Sequence, residues 1–228
     1  MKKTRLYISI LLFIIIPKTS FGLIEVDITR GNLNPLPIAV SPLFIETKSV
    51  KDFQNLLKID NIGEDISTVV ENNLKSSGLF NPLKREAFLQ KPDIAHLKPR
   101  FEDWSLIKAQ ALITGEVKYE NEKLRVEFRL WDVLAGKEMM ALAFTTVPDN
   151  WRRVGHIITD KVYQRLTGEK GYFDTRIIYV SEKGPKTNRV KKLAIMDQDG
   201  YNTKYLTLGN ELVLTPRFNP TNQMVTYL

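Results

Sequence analysis

The chain offers two imidazoles, His96 and His156. Imidazole is the side chain best suited to moving a proton near neutral pH, but it needs a partner acid or nucleophile to do chemistry. His156 sits between Gly155 and Ile157 on an amphipathic stretch, with neither group set beside it in sequence. It can act as a general base, but a packed or capping histidine is the stronger reading. Asp197-Gln198-Asp199-Gly200 imitates the opening of a calcium loop. Such a loop requires a bidentate Glu at its twelfth position, and that position is Leu208. Asp and Gly are also what a tight hairpin demands, so the turn reading wins. Glu116, Glu120 and Glu122 are near enough to be paired carboxylates, but strand alternation puts them on a solvent face. Trp104, Trp131 and Trp151 are spread along the chain, and the last two read as core. No nucleophile elbow, phosphate-binding glycine loop, dinucleotide fingerprint or His-Glu-x-x-His zinc motif occurs. The residues therefore call for no catalytic site, no cofactor and no metal.

The elements that position these residues are legible in the patterning. Ile24, Val26 and Ile28 alternate with Glu25, Asp27 and Thr29, the period of a half-buried strand. A loop follows at Gly31 to Pro35, then an apolar run from Leu36 to Phe44. Over 61–77, Ile62, Ile66, Val69, Val70 and Leu74 share one helical face; Asn61 and Glu64 form a capping box, and Gly78 is the stop. Residues 80–100 read as irregular, and a short helix runs from Asp103 toward Gln110. Three strands joined by two short turns, 111–119, 124–133 and 139–147, make an antiparallel meander. A second long helix follows Pro148, capped by Asp149 or Asn150, with Trp151, Val154, Ile158 and Val162 on its stripe, Ile157 and Leu166 on its flank, and Gly168 as its end. Together these predict an α/β N-terminal domain over 23–170, a mixed sheet with the two long helices on one face.

From 171 the chain turns to short strands at 176–180, 190–196, 205–208 and 224–228. Ile177-Ile178-Tyr179-Val180 resembles Met224-Val225-Thr226-Tyr227-Leu228, and Tyr179 and Tyr227 are 48 residues apart. That repeat length is the mark of β-propeller blades. Residues 171–228 then hold one blade and the first strand of the next, leaving the 223–228 strand as an unpaired edge.

Composition sets the compartment. Lys2, Lys3 and Arg5 precede eleven largely apolar residues, Leu6 to Ile16, then Pro17 and the small residues of Ser20-Phe21-Gly22. This is a secretory signal peptide, residues 1–22, with cleavage expected after Gly22; eleven residues are too few to span a bilayer core of about 30 Å. The formal net charge is +7, but residues 1–22 hold four of the 33 basic residues and none of the 26 acidic ones, so the remainder carries only +3. No basic run longer than two remains, which argues against nucleic acid. With no cysteine, disulfides, thiol nucleophiles and N-terminal lipid anchors are excluded. The expected product is a soluble exported protein with no membrane span.

The chain resembles the TolB family of the Tol-Pal system of Gram-negative envelopes. The resemblance rests on His156-Ile157-Ile158-Thr159-Asp160-Lys161-Val162-Tyr163-Gln164-Arg165-Leu166-Thr167-Gly168, then Gly171, Phe173, Thr175-Arg176-Ile177 and Tyr179-Val180. Met196-Asp197-Gln198-Asp199-Gly200 and Thr215-Pro216-Arg217-Phe218-Asn219-Pro220 carry it further. It implies a periplasmic, non-enzymatic, protein-binding adaptor that supports outer-membrane integrity and outer-membrane invagination during cell division. It also implies that the mature N-terminal segment, Leu23, Ile24, Glu25, Val26, Asp27, Ile28, Thr29, Arg30, Gly31, Asn32, Leu33 and Asn34, binds a TolA-like inner-membrane protein. A Pal-like lipoprotein would bind the propeller, were it complete. The family has six blades and a propeller needs about four to close, so a truncated product, a split gene or a fragment is expected. The alternatives are an exported envelope enzyme or small-ligand-binding protein with no recognisable motif, or a non-functional fragment.

Overall fold

A computed structural model describes residues 34–222 and 224–228. The first half builds a five-strand path with an extra short strand. Its elements are β1 (Leu36–Val40), β2 (Phe44–Ile45), α1 (Thr47–Leu57), α2 (Ile62–Ser76), β3 (Phe80–Pro82), α3 (Pro92–Ala95) and α4 (Phe101–Leu106). β4 (Ala111–Glu120), β5 (Lys123–Asp132), β6 (Lys137–Thr146) and α5 (Trp151–Thr167) follow. Strand order is β3-β1-β4-β5-β6, with β2 also on β4. β1 runs parallel to β3 and β4, and β4, β5 and β6 are antiparallel. The sheet is mixed, as the patterning predicts.

Local chemistry explains the elements. The β4–β5 turn has two central residues, Asn121 (φ 51°) and Glu122 (φ 60°). Positive φ at both matches the right-handed twist of the flanking strands. Leu124, Val126, Phe128 and Leu130 of β5 are all buried, while Arg125, Glu127 and Arg129 between them are half-buried on the other face. The pairing with β6 shifts register between Leu130 and Trp131, where Met139 is the extra residue on β6, while the alternation of β5 runs on through buried Asp132. At the start of α2, Asn61 Oδ1 accepts from the Glu64 N–H (3.2 Å) and Asn61 Nδ2 donates to Glu64 Oε2 (3.1 Å). The first bond is the expected cap; the return bond comes from the Asn61 side-chain amide rather than from its backbone N–H, so the capping box is met in half.

The start of α5 differs from expectation. Neither Asp149 nor Asn150 caps it with a side chain; the 3₁₀ turn Pro148–Asn150 leads directly into the helix. The Asn150 amide instead donates to Thr146 Oγ1 (3.1 Å). Leu166, expected on the flank, is fully buried with Val154, Ile158 and Val162, because residues at i, i+4, i+8 and i+12 share a face.

The principal core lies between one face of the sheet and α2 plus α5, with α1 contributing Phe53. The opposite face is covered too. Ala95, from the stretch read as irregular, and Trp104 and Ala109, from the segment expected as a short helix, pack on Ala39, Leu112 and Val133; that helix forms over Phe101–Leu106, two residues earlier than expected and ending short of Gln110. Buried Trp104 donates its indole N–H to Gln90 Oε1 (3.0 Å), which also accepts from the Arg100 N–H (3.1 Å). Trp131 and Trp151 are half-buried at the rims of the two cores.

After α5 the chain forms β7 (Arg176–Lys183), β8 (Val190–Asp197) and β9 (Lys204–Tyr205), an antiparallel sheet in the order β7-β8-β9. β9 is shorter than predicted: past it, Leu193 bonds the Thr207 hydroxyl rather than a backbone carbonyl. The strand expected to be unpaired has a partner. β10 (Arg217–Phe218) pairs with β11 (Val225–Thr226), and Leu214 and Leu228 exchange both backbone bonds. The Asn219 side chain accepts from the N–H and hydroxyl of Thr221 and so closes the turn between them. Among the described residues no helix is long and apolar enough to cross a membrane.

α5 crosses α2 at Gly155. A Cβ there would stand 2.9 Å from Val69 Cγ1 and 3.4 Å from the Ile66 carbonyl oxygen. Gly155→Val forces the two helices apart and is expected to cost about 1–3 kcal/mol, read as a lowered thermal midpoint with the same secondary structure by circular dichroism.

Candidate functional site at the junction of the α/β body and the β-hairpin

Three elements meet under the β7–β8 hairpin. α2 brings Asn73 in its last turns, α5 brings Arg152, His156 and Thr159, and the turn after β8 brings Asp197, Gln198 and Asp199. Backbone bonds set the turn: the Gly200 N–H reaches Asp197 O (3.0 Å) and the Asp197 N–H reaches Tyr201 O (2.9 Å). Asp199 Oδ1 accepts from the Tyr201 N–H (3.2 Å), and Asp197 Oδ2 accepts from Asn202 Nδ2 (2.6 Å). The turn reading of this segment holds, and the turn also aims two carboxylates inward.

They face His156. Its side chain is 2% exposed, and its Nε2 lies 3.7 Å from Asp197 Oδ2 and 3.8 Å from Asp199 Oδ2 with no hydrogen-bond partner of its own. Nδ1 is 2.9 Å from Asn73 Nδ2. An amide N–H donating there makes Nδ1 the acceptor and leaves the proton on Nε2. Asn73 is otherwise fully used: Nδ2 also donates to Thr159 Oγ1 (3.3 Å) and Oδ1 accepts from Gln198 Nε2 (2.9 Å). Arg152 closes the cluster. Its Nη2 donates to Asp199 Oδ2 (2.5 Å), its Nε is 4.0 Å from Asp197 Oδ2, and its guanidinium lies over the Tyr201 ring at 4.2 Å. Burial pushes the His156 imidazole below its ordinary 6.5 and outweighs the opposite pull of Asp199 and Asp197; Arg152 adds to the lowering. The imidazole is neutral near pH 7, in keeping with the tautomer the network sets.

Two cavities flank the cluster. One, about 130 Å³, is lined by His156, Asp197, Arg153, Asp174 and Lys204. The other, about 420 Å³, lies between α2 and the turn and is lined by Asp65, Asn72, Trp151, Arg152 and Tyr201.

The remaining sequence candidates are elsewhere. His96 stacks on Phe44 at 4.2 Å, its Nδ1 2.9 Å from the Pro92 carbonyl oxygen. Glu120 and Glu122 are exposed, and half-buried Glu116 pairs with Lys118 at 2.6 Å. Of the predicted partner segment, Leu23 to Leu33 lie outside the described residues, and Asn34 is exposed. Sequence reasoning missed Asn73, although a signal existed. It lies four residues after Val69 and three after Val70 on the apolar stripe of α2, and a polar side chain there must find buried partners.

An α/β body tied by a buried polar seam to antiparallel strands of blade type defines a two-part class, a body carrying the opening of a β-propeller. The chain belongs to the TolB family: the model of the TolB amino-terminal domain matches residues 24–139, and that of the TolB beta propeller domain matches 163–228. It is 79% identical over 218 residues to the Tol-Pal system protein TolB of Pelagibacter ubique, covering 96% of this chain and 49% of that protein. The crystal structure of TolB from Acinetobacter baumannii shares the fold, with a TM-score of 0.68 at 22% identity over 90% of this chain and 46% of that one. The chain spans about half the length of the relatives it matches.

Removing Asn73 leaves the buried Nδ1 of His156 and the half-buried Gln198 amide unpaired, while Thr159 keeps only its bond to the Gly155 carbonyl. Asn73→Ala is expected to cost about 1–3 kcal/mol in denaturant unfolding, whereas Asn72→Ala, on the exposed side of the same turn, should stay within about 0.5 kcal/mol.

Proposed function

We propose that this chain is a periplasmic protein-binding adaptor of the Tol-Pal system, supporting outer-membrane integrity and outer-membrane invagination during division. Residues 1–22 are its cleaved signal, 23–170 its adaptor body and 171–228 its propeller portion. The observation that carries the reading is the 79% identity, over 96% of the chain, to a protein named Tol-Pal system protein TolB. The signal-like N-terminus agrees with export.

The partner of the mature N-terminus is a TolA-like inner-membrane protein, and a Pal-like lipoprotein is the partner of the propeller. In Leu23 to Asn34, alternation of Ile24, Val26 and Ile28 with Glu25, Asp27 and Thr29 suits strand addition to an exposed sheet edge. Backbone bonds then supply affinity and the apolar side chains fill pockets. The adaptor carries out no turnover. Both histidines support that reading: His156 is buried with Nδ1 against Asn73, and His96 is stacked on Phe44.

Deleting residues 23–34 is expected to abolish binding to a TolA-like C-terminal domain, measured by titration calorimetry, with the thermal midpoint of the body unchanged. Undiminished affinity after the deletion removes the segment from the site.

A further inference from the structure

The His156–Asp197–Asp199 cluster contains more than a structural tie requires. A tie would leave no donor unmatched, yet Nε2 of a side chain only 2% exposed ends 3.7 and 3.8 Å from two carboxylate oxygens and bonds neither. One ligand atom from each of the three residues lies within 4.8 Å of the others. Two ligand atoms on one ion, each at about 2.0–2.2 Å and at a tetrahedral angle, are separated by about 3.3–3.5 Å. Closing the two imidazole–carboxylate gaps needs shifts of a few tenths of an ångström, and the two carboxylate oxygens, within 4.8 Å of one another, draw together around the ion.

We propose that His156 Nε2, Asp197 Oδ2 and Asp199 Oδ2 form a binding site for a divalent transition-metal ion, with Arg152 as the built-in cation that holds the carboxylates when no ion is bound. The donor set selects the metal class. One imidazole nitrogen with two carboxylates suits zinc or manganese, whereas calcium and magnesium favour shells made wholly of oxygen. The neighbouring cavity of about 130 Å³, lined by both His156 and Asp197, provides entry and room for the water that completes the coordination.

The surrounding side chains already act as outer partners. Asn202 Nδ2 and the Tyr201 N–H orient the two carboxylates. For Nε2 to ligate, the imidazole proton must move to Nδ1 by exchange with solvent, which leaves the ring neutral. Asn73 accommodates it by turning its amide, so that Oδ1 receives the Nδ1 proton and Nδ2 meets a likewise turned Gln198. Arg152 is the direct competitor, because its Nη2 occupies Asp199 Oδ2. Its contact over the Tyr201 ring is a hold on the guanidinium that involves neither carboxylate. The site joins α5 to the turn after β8, so a bound ion ties the body to the hairpin. The inference is independent of the Tol-Pal reading.

The full chain, stripped with EDTA, is titrated with Zn²⁺ and separately with Mn²⁺ by calorimetry, and its melting temperature is followed with each metal. One ion per chain is expected, with a melting temperature that rises with metal concentration. Arg152→Gln removes the competing charge and is expected to bind about tenfold tighter or more. A mere ion-pair tie predicts instead that this variant is less stable and no better at binding. Asp199→Asn keeps shape and loses the ligand, so it is expected to lose binding even if His156→Gln fails to fold. No binding by the wild type or Arg152→Gln below about 100 μM metal, or binding that survives Asp199→Asn, overturns the proposal.

Discussion

The approach of α5 to α2 at Gly155 is the constraint on which the junction depends. Ordinary side chains at a helix crossing hold the axes about 8–10 Å apart. A missing Cβ lets Val69 and the Ile66 carbonyl come to the backbone of α5 itself. That closeness places Asn73, one turn along α2 from Val69, against His156 and Thr159 on the facing side of α5. Asn73 is then buried where no water reaches it, and it is tolerable only because each of its polar atoms is bonded. One bond, from Gln198, comes from the hairpin rather than from the body. The helix pair therefore recruits the turn after β8, and the turn brings its carboxylates with it.

A second tie acts in parallel. Asp160, one turn along α5 from His156, accepts from the backbone N–H groups of Phe173 (2.7 Å) and Asp174 (3.1 Å). Phe173 is fully buried, 5.7 Å from the Tyr163 ring, which also meets Phe80 edge-on. Arg153 pairs with Asp174 at 3.0 Å on the surface, an exposed contact worth little by itself. The connection between α5 and β7 is thus anchored by an aromatic plug and a carboxylate that satisfies two backbone donors.

How much of this the sequence disclosed follows from the range of each interaction. The caps of α2, the alternation of β5 and the β4–β5 turn depend on residues a few positions apart, and all three are legible. The cover on the far face of the sheet is legible only in part. A short helix near Asp103 is expected and forms as α4, fastened by the Trp104 indole and the Arg100 N–H on Gln90; α3 has four residues, too short to show a helical period. α1 is another helix that the reading along the chain did not register. The β10–β11 pairing looked like an isolated strand because two-residue strands carry no period at all. His156 and Asp197 are 41 positions apart, and each alone supports a bland reading, the one as a packed imidazole and the other as a turn residue. Both readings describe the local structure correctly. Their conjunction exists only once α5 and β8 have been packed together, and the single local hint of it was an asparagine on an apolar stripe.

The two ties differ in what breaks them. The Phe173 plug depends on apolar burial and on backbone donors, which change little with ions or with modest changes of charge. The His156 cluster is electrostatic. Two carboxylates, one guanidinium and a neutral imidazole leave it with one net negative charge, in surroundings where water screens poorly. Its strength therefore responds to any cation that enters, whereas the plug stays constant. A partner that moves β7 and β8 relative to the body would meet a fixed resistance at Phe173 and an adjustable one at His156. Both are set into the same helix, seventeen residues long. That helix, with Asn73 of α2 beside it, carries the ties described here between the hairpin and the α/β body.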